Sequence, residues 1–157
     1  MDSDGAATAG AMRSVADRAR SLRDEANHHE ELIRRHVIAW RPELLEITGV
    51  GAITAAVALC AWSHHGRGRS EAAFAMLAGT AHIPACFGQT VRHRSNRGGD
   101  RQLNWMIHMI CVGRTAPDPR ARAYVVRRRG EGKTTTEIQL CVKRYIAREL
   151  DRALRHR

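Results

Sequence analysis

Gly49 and Gly51 flank a single valine in Ile47-Thr48-Gly49-Val50-Gly51-Ala52-Ile53. Two glycines in a tight turn before a helix expose backbone N–H groups, and these can accept an anion such as a phosphate together with the helix dipole. Glycine suits that task because a side chain would block the approach. A plain connector with glycines for geometry reads the same way. A second cluster is Arg92, Arg94, Asn96, Arg97 and Arg101, interleaved with Gly98 and Gly99. Four guanidinium groups in ten residues, ahead of a helix start, suit phosphate and groove contacts. A flexible solvated loop is the bland alternative. A third run, Arg127-Arg128-Arg129 with Arg120 and Arg122 before it, reads first as a solvated helix face and second as a backbone tracker.

Catalytic chemistry is thinly represented. Cys86, between Pro84 and Gly88, would serve as a nucleophile if a basic setting lowered its pKa. A small buried cysteine is the plainer role. Asp100 and Asp118 stand apart, with no carboxylate cluster of the kind that holds two metal ions, and His64-His65 reads as a surface pair. Cys60, Cys86, Cys111 and Cys141 are spaced 26, 25 and 30 apart, so no zinc framework and no metal site is expected.

The elements that must position these groups read as nearly all α. Residues 1–11 are small, acidic and expected to be disordered. From Met12, the positions Val15, Ala19, Leu22, Ala26, His29, Ile33, His36 and Trp40 follow 3-4 spacing, which predicts a coiled-coil-like helical arm over 12–41. A single amphipathic helix packed on its own domain fits the same pattern. Residues 42–157 read as one compact helical domain. A short helix at Pro42–Ile47, the G-V-G turn and a helix at Ala52–Trp62 form a helix-hairpin-helix-like element. Ser70 caps a helix over Glu71–Leu77, and Thr80–Asp100 reads as a loop with a short hairpin. Asp100 opens a helix with the stripe Leu103, Met106, Ile107, Ile110, Cys111, which Pro117 and Pro119 break. A basic helix follows at Ala121–Arg129. Thr134–Thr136 caps the last helix, striped by Ile138, Cys141, Val142, Tyr145, Ile146, Leu150 and Leu154.

Charge locates the partner-facing surface. The whole chain carries +10, from 26 Lys plus Arg against 16 Asp plus Glu, and all but Lys133 and Lys143 of the basic residues are Arg. Residues 1–45 hold seven Arg and eight acidic groups, so the excess lies entirely beyond residue 45. An Arg-rich excess of this size points to nucleic acid. No apolar run is long enough to span a bilayer, no secretory leader is apparent, and a reducing, cytoplasmic setting is expected.

Several ordered stretches resemble the C-terminal domain of the DEDD-type insertion-sequence transposases, the bridge-RNA-guided recombinases of the IS116/IS110/IS902 family. They are ELLEITGVGAITAA (43–56), RSEAAFAMLAGTAHIPA (69–85), RHRSNRGGDRQLN (92–104), DPRARAY (118–124) and GKTTTEIQLCVKRYIARE (132–149). The arm is similar to the coiled-coil segment that precedes this domain in the family. The resemblance implies a DNA recombination module. An N-terminal RuvC-like domain would supply acidic residues for a divalent metal, and the C-terminal domain a serine that attacks DNA, acting in an oligomer with guide RNA. Here Cys86-Phe87-Gly88 stands where the family carries Ser-Ser-Gly, and the chain opens in the connecting arm. The resulting expectation is the DNA-binding part of a truncated transposase, not competent for cleavage alone, with no cofactor in this chain. DNA is the expected partner, alongside structured guide RNA and a second copy or an intact transposase gripped through residues 12–40. An interaction protein that modulates an intact transposase through this arm is the alternative. An active enzyme using Cys86 is the third reading.

Overall fold

A computed structural model describes residues 3–63, 70–87, 90–96 and 98–155. The elements are α1 (Ser3–Trp40), α2 (Glu43–Glu46), α3 (Ala52–Trp62), α4 (Glu71–Leu77), β1 (His82–Phe87), β2 (Thr90–Ser95), α5 (Arg101–Thr115), α6 (Pro119–Gly130) and α7 (Thr135–Arg155). The chain is mostly α, as the patterning predicts.

Four polar residues start helices at the predicted places or beside them. Ser70 Oγ accepts the Ala73 N–H at 3.1 Å, and Asp100 Oδ1 accepts the Leu103 N–H at 3.1 Å. Thr134 Oγ1 accepts the Glu137 N–H while Glu137 Oε2 accepts the Thr134 N–H, a reciprocal capping box. Asp118 caps α6 through the Arg120 N–H at 2.9 Å. The expected break at Pro119 is therefore a helix start: proline has no N–H to leave unsatisfied in a first turn, and its φ is already helical.

The core forms where α3, α5 and α7 meet. Leu103, Met106, Ile107, Ile110 and Cys111 of α5 are all buried, against Ile138, Val142, Ile146, Leu150 and Leu154 of α7. Ala55, Ala58 and Ala61 of α3 allow close approach, and Phe74 of α4 plugs the side near Trp62, their rings 5.8 Å apart edge-on. Tyr145 departs from the predicted stripe. It is half exposed and meets Tyr124 of α6 in a T-shaped pair at 6.0 Å, so the phenol rings join α6 to α7 at the surface.

One boundary differs from expectation, and the expected short hairpin occupies residues 82–95. Residues 3–11 belong to α1 rather than to a disordered leader. Ala6, Ala7, Ala9 and Ala11 are strong helix formers, and Asp4 complements the N-terminal dipole. Residues 82–95 form an antiparallel hairpin with His82 opposite Ser95 and Cys86 opposite Val91. Thr90 and Val91 favour a strand, and Pro84 is tolerated because a two-stranded sheet leaves every strand an edge.

Among the described residues, only the end of α1 packs on the domain. Val37 is 1% exposed and Ile33 packs beside it, against α3. Met12, Val15 and Leu22 remain exposed.

Candidate nucleic-acid interface

The G-V-G turn is built inward and outward at once. Val50 is buried and anchors the turn to the core. Gly49 adopts φ +85, a left-handed conformation that side-chain-bearing residues avoid. A Cβ there would sit 3.2 Å from the Ile110 carbonyl of α5, so the missing side chain of Gly49 serves helix packing. At Gly51 a Cβ would meet nothing within 4 Å. The Gly51 N–H donates to Thr54 Oγ1 at 2.9 Å, and the same hydroxyl donates to the Gly51 carbonyl at 3.0 Å. That leaves the Ala52, Ile53 and Thr54 amides as the first-turn donors without intrahelical acceptors. Thr54 escapes a reading by charge and glycine alone; its position three residues after the cap is the signal for it.

Arg114 secures this turn from behind. It is 8% exposed, donates Nε–H to the Thr48 carbonyl at 2.9 Å and pairs through Nη1 with Glu149 of α7 at 2.8 Å. Neither contact is visible in local sequence, because the partners are far apart along the chain.

The Arg cluster divides between strand, loop and helix. Arg92 and Arg94 lie in β2, in register with Ala85 and Ile83 of β1, and Cys86 lies in β1 one pair from the tip. Arg97 is outside the described residues, as are Gly88 and His64-His65. Asn96 is engaged within the fold: its Nδ2 donates to the Met76 carbonyl at 3.2 Å, and its Oδ1 accepts the Gly98 N–H at 2.9 Å. Arg101 is exposed in the first turn of α5.

The third run is partly neutralised. Arg127 and Arg128 both pair with Glu131, and both guanidinium groups lie over the Tyr124 ring, at 5.5 and 5.9 Å. On α7, Arg144 and Arg148 converge on Glu71 of α4 at 2.9 and 3.0 Å. The Arg148 hydrogen bond chiefly holds the Glu71 carboxyl below its ordinary range. Arg120, Arg122, Arg129 and Arg152 are exposed.

The structure does not bring the G-V-G turn and Arg101 together. The turn packs beside Arg114 and Arg101 opens the same helix, so the two sites sit about 20 Å apart along α5 at 1.5 Å per residue. Among the described residues no three His, Cys, Asp or Glu gather into a metal site, so the residues present do not fit the divalent ion that the resemblance assigns to an acidic domain. No helix among the described residues is long and apolar enough to cross a membrane.

The model of the transposase IS116/IS110/IS902 family matches residues 41–126, from the end of α1 into α6. The insertion element IS110 uncharacterized 43.6 kDa protein of Streptomyces coelicolor is 30% identical over 137 residues, which cover 87% of this chain and 33% of that relative. The chain thus spans a third of the length of the curated relative it matches.

Proposed function

The chain belongs to the transposase IS116/IS110/IS902 family, and from that membership we propose that it is a DNA-binding C-terminal part of an insertion-sequence transposase. A transposition-related role follows from the family itself. The observation that carries the DNA-binding reading is the pair of donor sites on one helix scaffold. The α3 N-terminus behind Gly51, tied to α5 through Arg114, and Arg101 at the start of α5 are about 20 Å apart along that helix, which is about six base pairs of duplex. Gly51 leaves room for a phosphate at the first, Arg101 supplies charge at the second, and Arg92, Arg94 and Arg97 precede it in the sequence. Asn96 would act by fixing the hairpin exit.

Strand cleavage is not assigned to this stretch alone. Cys86 stands where the resemblance implies the family's serine, and the proposal gives it no catalytic step. The test is a mobility-shift titration of duplex DNA and structured RNA across salt. Affinity falling about a thousandfold or more between about 50 and 200 mM salt is expected for six or more phosphate contacts. Salt-insensitive or absent binding to both overturns the reading.

A second reading has its own observation. Met12, Val15 and Leu22 expose a helical stripe over the part of α1 that the domain does not cover. This supports pairing through the arm, with a second copy or with an intact transposase whose assembly it would modulate.

A further inference from the structure

At the foot of the hairpin, where α4 ends and α5 begins, lies a cleft of about 560 Å³. Gly79, Asn96 and Gly99 close one end; Arg101, Asn104, Trp105 and His108 of α5 and Lys143 of α7 line the rest. Gly79 and Gly99 are packed against each other's backbone: a Cβ on Gly99 would come within 2.6 Å of the Gly79 nitrogen. The end wall is therefore fixed. Asn104 holds its own place by donating to the Ala78 carbonyl at 2.8 Å.

Three features of the lining remain unused by the fold. Trp105 is 53% exposed although it is the largest apolar side chain on α5. His108 Nδ1 is buried and finds no hydrogen-bond partner. Lys143 reaches only the Asn104 amide oxygen, at 3.4 Å, and no carboxylate among the described residues pairs with it. Burial holds the Lys143 ammonium below its ordinary pKa, so the charge is kept at a cost that an anion would relieve. Arg101, Trp105 and His108 follow i, i+4, i+7 spacing and so lie along one face of α5. An aromatic face beside two cations and an unsatisfied imidazole is the equipment for one nucleotide: ring to base, cations to phosphate. A duplex would not present an unstacked base to Trp105, whereas a strand end or bulge would.

We propose that this cleft binds a single unpaired nucleotide, its base stacked on Trp105 and its phosphate held by Lys143 and Arg101. The proposal rests on the nucleic-acid reading above and specifies the form of strand that the α5 end takes. DNA and RNA share this chemistry.

The test uses the full chain with oligothymidylate, oligouridylate and a blunt duplex. Both oligonucleotides, or one of them, should quench tryptophan fluorescence. The quench should vanish in Trp105→Phe, because Trp40 and Trp62 lie on α1 and α3. Trp105→Ala should weaken single-strand binding about tenfold, the scale of losing one base–aromatic stack, while Trp105→Phe retains most of the affinity. Lys143→Met should reduce the salt slope by about one phosphate contact. Blunt-duplex affinity should change less than about twofold in every variant. Which oligonucleotide binds more tightly identifies the sugar. Trp105→Ala that binds single strands like the unaltered chain overturns the cleft proposal while leaving duplex binding standing. An unaltered chain that binds no nucleic acid overturns the broader reading and this one with it. Trp105→Ala that loses association with a protein partner but not with single strands also overturns it.

Discussion

Arg114 donates its Nε–H to the carbonyl of Thr48 at 2.9 Å, joining the last turn of α5 to the loop that carries Gly49 and Gly51. With its other arm on Glu149, one guanidinium fixes the position of the turn relative to both α5 and α7. A fork with two directed donors is needed, because the two acceptors come from different elements.

Arg114→Met should therefore cost about 2 kcal/mol, the loss of a charge-assisted hydrogen bond plus an unsatisfied carbonyl. For a domain of this size that lowers Tm by about 4–8 °C, measured by calorimetry. Arg114→Lys should recover less than half, since an ammonium cannot reproduce the fork. Full recovery by lysine would show that charge alone holds the turn.

A methyl group added at each of three glycines should separate folding from binding. Gly99→Ala places a Cβ 2.5 Å from the Leu77 carbonyl and 2.6 Å from the Gly79 nitrogen, both backbone, and should destabilise by about 2 kcal/mol or more. Gly49→Ala should also destabilise, by about 1 kcal/mol or more, because φ +85 disfavours any side chain. Gly51→Ala meets nothing within 4 Å and should cost less than about 1 kcal/mol as a helix cap. If phosphate approaches this position, Gly51→Ala weakens duplex binding at nearly unchanged Tm. Equal affinity in the shift assay would remove Gly51 from the interface.

The arm should behave as two parts. Val37→Ala removes packing from a site 1% exposed and should destabilise the domain by about 1–2 kcal/mol in denaturant titration. Leu22→Asp, on the exposed part, should leave the unfolding midpoint of the domain unchanged. Light scattering after size exclusion should show it lowering the assembly state if the stripe pairs. An unaltered chain that stays monomeric at high concentration would end the pairing reading.

Glu71 sets a pH dependence. Its folded pKa lies below the ordinary 4.5, chiefly through the Arg148 hydrogen bond, with Arg144 and Arg152 adding charge. A carboxyl depressed by folding binds fewer protons in the native state. Its contribution is full above the unfolded pKa and drains as pH falls from there through the lower folded value. Thermal scans between pH 6 and pH 3 should show a shallower acid loss for Glu71→Gln than for the unaltered chain. The surface position keeps the effect small. Identical slopes would mean the Arg pair does not favour the carboxylate.

Local chemistry made much of this fold readable. Ser70, Asp100 and Thr134 mark helix starts because each side chain bonds a backbone amide three residues on. The stripes on α5 and α7 follow because burial repeats with the helical turn. The glycine turn was legible as a place where backbone must bend. That Gly49 faces Ile110 was not, because the partner lies on another helix. Distance along the chain hid the rest. Lys143 reaches Asn104, Arg144 and Arg148 reach Glu71, and Arg114 reaches Thr48, and no periodicity encodes such pairs. Trp105 carries a signal of its own: it is the aromatic in a helix that opens on Arg101, off the apolar stripe.

Helix α1 runs 38 residues but, among the described residues, is seated on the core near Ile33 and Val37. From Val37 to its first turn is about 50 Å at 1.5 Å per residue, several times the radius of gyration of about 13 Å for a domain of this size. Such a rod converts angle into displacement. A tilt of about 10° at Val37 moves the far end by about 9 Å, more than two base-pair steps. The few side chains around Val37 thereby set the reach and bearing of anything that grips the distant turns.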